Sequence, residues 1–111
     1  METQFSHVPD AAALERLFER SNEAPVLLFK HSDTCPISAR AYRQMQQVGA
    51  EVSLVVVQKS REVSREVESR TGLRHESPQA LVLRNGQVVW SATHFDITAD
   101  AVQQALKDAE G

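Results

Sequence analysis

A second cysteine is missing from this chain of 111 residues, in which Cys35 stands alone. No disulfide can close within it, so stability must come from an apolar core. A hydrophobic content of 41% at this length is enough to build one such core in a single domain over residues 1–111. Positive charge is also in short supply, with 12 Lys and Arg against 15 Asp and Glu and a net charge of -3. That balance excludes the broad basic field that binding to nucleic acid or an anionic membrane would need. No apolar run approaches the ~18 residues of a bilayer span, and Met1-Glu2-Thr3-Gln4 carries neither a basic nor an apolar leader region. A cytoplasmic protein is expected, with neither nucleic acid nor membrane as partner, and a lone free thiol suits that reducing compartment. His, Cys, Asp and Glu nowhere show the spacing of a closed zinc site. The Cys-x5-Arg spacing of a phosphatase loop fails as well, because Arg40 comes one residue early and Ala41 holds the required place. No bound cofactor, no intrinsic metal and no phosphoryl chemistry are expected.

What is present is a clear alternation of helical and extended segments. Asp10 suits the N-cap of a helix that carries Leu14, Leu17 and Phe18 on one face. Pro25-Val26-Leu27-Leu28-Phe29-Lys30 is a short continuous apolar run, the pattern of a central strand covered on both faces. From Pro36 the apolar positions Ile37, Ala41, Met45 and Val48 recur at helical spacing, and Gly49 is placed to stop the helix. Residues 52–57 include three consecutive valines, whose β-branching favours an extended chain. The strand-helix-strand order implies a right-handed parallel crossover. Residues 60–72 read as a mostly exposed polar helix with Val63 and Val67 inward and Glu66 and Arg70 paired at i, i+4. Asn85-Gly86 between residues 78–84 and 87–93 signals an antiparallel hairpin, with Trp90 as its core anchor. A last helix is expected from Thr98 through Leu106, with Ile97 and Val102 as a hydrophobic staple. A four-stranded mixed sheet with helices on both faces, a three-layer α/β sandwich, is the architecture these segments imply.

Cys35 lies where the first apolar strand ends and the Pro36 helix begins. Proline suits the first helical position, so the sulfur falls at the N-cap beside unpaired backbone N–H groups. Such a site lowers a thiol pKa from about 8.5 toward roughly 3.5 to 7.5 and makes the thiolate the resting nucleophile. Ser38 occupies the position where many redox proteins place a second cysteine. Its hydroxyl is too weak an acid to resolve an adduct, but its backbone N–H, and its hydroxyl with it, can support the Cys35 anion. If the strand opened by Pro78 runs antiparallel to the first strand, Ser77-Pro78 comes beside Cys35.

His31-Ser32-Asp33-Thr34-Cys35-Pro36-Ile37-Ser38 with Tyr42 downstream, and His75-Glu76-Ser77-Pro78-Gln79 later, resemble the monothiol bacilliredoxins of the thioredoxin and glutaredoxin superfamily. The resemblance spans nearly the whole chain. It implies a thioredoxin-like sandwich and a monothiol oxidoreductase that removes bacillithiol from protein mixed disulfides. Its partners would be bacillithiolated client proteins and a low-molecular-weight thiol, with bacillithiol as co-substrate. By resemblance Thr34, Pro36, Ile37, Ser38, Ser77 and Pro78 line the substrate site around the catalytic Cys35, and Ser77, ahead of a cis proline, offers its backbone to an extended substrate.

Two other functions fit the same residues. One is a non-catalytic thioredoxin-fold adaptor that binds peptide in the same groove. The other is a thiol-dependent iron-sulfur carrier, disfavoured because Pro36 stiffens the approach to a shared cluster. Thr34 either shapes the pocket or closes the loop. His31 and His75 are more simply solvated or backbone-bonded than catalytic, His7 and His94 read as surface residues, and Arg40 and Arg43 as a solvated helix face in preference to a binding site for the carboxylates of an acidic thiol.

Overall fold

The computed structural model describes residues 2–110. Its strands are β1 (Gln4–His7), β2 (Val26–His31), β3 (Glu51–Val56), β4 (Gln79–Arg84) and β5 (Gln87–Thr93), and its helices are α1 (Ala11–Arg20), α2 (Pro36–Met45), α3 (Arg61–Thr71) and α4 (Ala99–Glu110). One sheet takes the order β1-β3-β2-β4-β5. The expected four strands are therefore five. β1 escapes a reading based on apolar runs because Gln4, Ser6 and His7 are polar and exposed, and only Phe5 turns inward. It is held at the sheet edge by parallel backbone pairing with β3.

β2 lies at the centre, parallel to β3 and antiparallel to β4. Its residues Val26 to Lys30 are all buried, as a strand covered on both faces requires. Alternation along β2 sends Leu27 and Phe29 toward a core with Ala41, Met45, Val102 and Ala105 of α2 and α4. Val26 and Leu28 face a second core with Leu14, Phe18, Val63 and Val67 of α1 and α3. Each fully buried Leu or Phe contributes about 1.5–3 kcal/mol relative to exposure, so β2 ties both layers to one rigid element.

The helix ends follow from local chemistry. Asp10 accepts a hydrogen bond from the Ala13 N–H at 2.9 Å, and Thr98 accepts from Ala101 N–H at 3.2 Å ahead of α4. The hairpin turns at Asn85 and Gly86, whose φ values of 56° and 76° are those of a type I′ turn. Arg70 departs from expectation. Instead of closing on Glu66 it crosses to α1, where it pairs with Glu15 and lies 4.0 Å above the ring of Phe18. An aromatic face together with a carboxylate across the layer outweighs a solvent-exposed pair along one helix, which is worth only ~0.3–0.5 kcal/mol.

Candidate active site

The C-terminal end of β2 carries the chain into the loop Ser32-Asp33-Thr34 and then to Cys35, the N-cap of α2, with φ -99° and ψ 122°. Pro36 occupies the first helical position and is exposed. The thiol is part-exposed and unpaired by any disulfide. No side-chain capping hydrogen bond is formed by the sulfur. The backbone N–H of Ser38, then that of Ile37, nevertheless hold the thiol pKa below its ordinary value; desolvation opposes them and the Ser38 hydroxyl adds a smaller push downward. A helix N-terminus stabilises the anion in this way.

Ser38 is fully buried, and its Oγ accepts from the Ser32 N–H at 3.3 Å. The residue standing where a resolving sulfur would be thus fastens the loop ahead of Cys35 to the first turn of α2. Gln58, just past β3, clamps the same loop from the other side. It accepts from Asp33 N–H at 3.2 Å and donates to Ser32 Oγ at 2.7 Å and to Thr34 Oγ1 at 3.3 Å. Thr34 is exposed and its hydroxyl is engaged in that clamp, while Ile37 is half-buried.

The register of β2 against β4 sets Lys30 opposite Gln79, so Ser77 and Pro78 lie at the end of the sheet from which the Cys35 loop departs. The Ser77–Pro78 peptide is cis, Pro78 is buried, and the Ser77 Oγ is buried without a hydrogen-bond partner. Thr93 pairs with Gln79, and beyond it a 3₁₀ turn at His94–Asp96 closes over the proline, the His94 N–H donating to Pro78 O at 3.2 Å. His94, read as a surface residue from the sequence, is half-buried at φ 53° with its Nε2 4.0 Å from Glu76 Oε2. His94, Phe95 and Gln58 are the site-end residues that sequence reasoning missed. Each arrives by tertiary contact and none carries a spacing signal.

Two titratable side chains end β2. His31 lies 5.7 Å from the Phe29 ring and 5.2 Å from Tyr42, which in turn stacks on Phe5 at 4.6 Å. Burial holds the His31 pKa below its ordinary value, although Asp33 at 3.9 Å and a backbone group of Ser38 oppose it. Lys30 has no exposed surface, and its Nζ has no partner. Burial pushes its pKa down to about 8 against the attraction of Glu68 and Glu76. His75 hydrogen-bonds Ser64 Oγ through Nδ1 at 3.3 Å, and burial first and Lys30 second lower its pKa, with Glu68 and Glu76 acting in the opposite direction.

Among the described residues, the buried side-chain polar atoms left without a hydrogen bond are Lys30 Nζ, His31 Nδ1, Arg40 Nη1 and Ser77 Oγ. All lie on β2, α2 or the β4 entry, around the Cys35 end of the sheet. Folded proteins rarely leave such atoms without a partner of some kind, and all four gather at the end of the sheet that carries Cys35. A cleft of about 500 Å³ beside Phe18, Arg70 and β5 contains no thiol. Chemistry is therefore located by the sulfur and not by cavity size. Among the described residues no three His, Cys, Asp or Glu side chains converge as metal ligands, and no helix is long and apolar enough to cross a membrane.

A family model for the monothiol bacilliredoxin BrxC matches residues 6–102. A solved structure described as a candidate oxidoreductase with a thioredoxin fold is 33% identical, with 91% of this chain and 92% of that chain covered and a TM-score of 0.84. Thioredoxin from Trypanosoma brucei brucei is 12% identical, covering 95% of this chain and 89% of its own, with a TM-score of 0.75. Trxlp from Edwardsiella tarda EIB202 is 19% identical, with coverages of 90% and 96% and a TM-score of 0.68. The last two share the fold alone.

Proposed function

This chain belongs to the monothiol bacilliredoxin family and has the thioredoxin fold of a thiol oxidoreductase, and from that membership we propose that it removes bacillithiol from protein mixed disulfides in the cytoplasm, with Cys35 as the catalytic nucleophile. The observation that carries the reading is a helix-capping thiol of lowered pKa with a buried serine, Ser38, at the position of a resolving sulfur.

Cys35 thiolate attacks the bacillithiol sulfur of a client mixed disulfide. The bond between that sulfur and the client sulfur breaks as a new disulfide forms at Cys35, and the client leaves as a thiolate that takes a proton from water. The adduct has no internal route onward, because Ser38 offers only a hydroxyl. A second molecule of small thiol or a reductase must attack the carried sulfur and release Cys35 as thiolate; with the small thiol the product is the symmetric small-thiol disulfide, which balances the two electrons given to the client. Thr34, Pro36, Ile37, Ser38, Ser77 and Pro78 would line the approach to the sulfur.

A family-wide role in thiol redox chemistry and a thiol held below its ordinary pKa both favour turnover over a passive adaptor, for which an ordinary thiol would serve. The test is incubation of purified protein with a bacillithiolated client, followed by intact-mass measurement. An adduct of one bacillithiol on Cys35 and stoichiometric appearance of client thiol are expected. No adduct, or release of the client by Cys35→Ser, would refute the reading.

A further inference from the structure

Arg40 carries a guanidinium on the helix that Cys35 caps, and the reaction leaves it unused. It lies on α2 five residues past Cys35, about 7.5 Å along the helix axis, and helical side chains lean back toward the N-terminus. It is half-buried, with Nη1 fully enclosed and unpartnered. The ion pairs among the described residues are Arg20–Glu51, His31–Asp33, Arg70–Glu15 and His94–Glu76, so no carboxylate answers Arg40. Its guanidinium carbon instead stands 5.3 Å from the centre of the Phe95 ring, and Phe95 is 62% exposed. The 3₁₀ turn that carries Phe95 is hydrogen-bonded to Pro78 through His94. A charged fork is thereby propped on an aromatic face between the sulfur-bearing helix and the proline loop, part of it enclosed and part of it open to solvent, with no carboxylate of the described residues upon it.

An arginine held this way is built to meet a planar anion. We infer that Arg40, positioned by Phe95, is the specificity-determining residue that binds a carboxylate of the small thiol while that thiol is exchanged at Cys35. The occupant is a low-molecular-weight thiol bearing a carboxylate some way from its sulfur, as the malate arm of bacillithiol does. The inference rests on the proposed function and adds to it a reason why an acidic thiol is preferred over a neutral one.

The measurement is kcat/KM for release of one client from two conjugates, with bacillithiol and with 2-mercaptoethanol, which has no carboxylate. Wild type should prefer the bacillithiol conjugate. In Arg40→Met the ratio of the two values should fall about tenfold or more, the size expected for losing one charge-assisted hydrogen bond. Arg40→Lys should fall between the two, and Phe95→Leu should lower the ratio less than Arg40→Met, because the fork loses its support but keeps its charge. The pH profile of Cys35 alkylation should not move in Arg40→Lys, which separates recognition from a change in the nucleophile. Equal loss for both conjugates would assign Arg40 to client docking or to stability and overturn the inference while the function stands. A wild type without preference would overturn it too. Should Arg40→Met fail to fold, an unchanged ratio in Arg40→Lys and Phe95→Leu would do so as well. Wild type that forms no Cys35 adduct from either conjugate would remove the function and the inference together.

Discussion

The two ends of the central sheet treat buried polar groups in opposite ways. At the hairpin end, Ser21 is fully buried and fully used. Its carbonyl accepts from Asn85 N–H at 2.7 Å and Arg84 Nη1 at 2.8 Å, and its Oγ accepts from Gly86 N–H at 2.9 Å. Arg84 Nε also reaches the Ala109 carbonyl at 3.2 Å, tying the hairpin to α4. At the Cys35 end, four enclosed polar atoms have no protein partner. One sheet thus differs along its length, with interactions satisfied where the chain holds its hairpin and left open at the end proposed to meet another molecule.

The strongest way to break that contrast is to remove the sulfur. Cys35→Ser should reduce release of client thiol to the uncatalysed background while leaving the denaturation midpoint where it was. A large loss of stability would show that the two ends are not independent. Next in size is Lys30→Met. The native pKa of about 8 lies below the ordinary 10.5, so the unfolded chain binds more protons between those values, and native stability rises with pH from about 8 to 10.5. Below about pH 8 the whole cost is present, roughly 3 kcal/mol. Lys30→Met should therefore be more stable than wild type by that order at pH 7 in urea titration, and the difference should shrink toward pH 10.5. A destabilised variant would show that Lys30 is well paired in solution.

Ser21→Ala probes the opposite end. It leaves the Gly86 N–H without its acceptor and should cost about 1–2 kcal/mol of unfolding free energy, with no change in the rate at which Cys35 reacts with iodoacetamide. A slower thiol would disprove the separation. The smallest effect is expected from Ser38→Ala, which removes the least of the contributions that depress the Cys35 pKa and keeps the backbone N–H groups. The midpoint of the alkylation pH profile should move upward, and by less than the total displacement of the wild-type thiol from an ordinary cysteine. A downward move would mean that the hydroxyl opposes the thiolate.

Much of this plan could be read before any coordinates. Apolar runs marked β2 and β3 because both faces of a central strand are covered, and Asn85-Gly86 marked the hairpin because both residues tolerate positive φ. Asp10, Thr98 and Pro36 announced three helix starts by local chemistry. β1 was hidden because an edge strand paired on one side needs no apolar pattern. Of the site, Cys35 and the Pro78 strand entry were visible as motifs. The Gln58 clamp, His94 over the proline and the Arg40–Phe95 stack were not, since each joins distant parts of the chain, through side chains of ordinary composition in the first and last and through the backbone at His94. Arg40 illustrates the limit. A basic residue on a polar helix face is the pattern of solvation, and only the packing of a later turn against it covers part of it from water.

On the proposed function, the buried serine at position 38 would also set the kinetic order of the cycle. With no neighbour able to displace the carried group, unloading would be a collision with a small thiol or a reductase from outside, so its rate would scale with the concentration of that reductant. Loaded and unloaded forms would then come to a ratio dictated by the reduced and oxidised pools around them. A chain that had kept a second sulfur could discharge on its own clock, whereas this one would wait on supply, and the fraction of it found loaded would register the state of those pools.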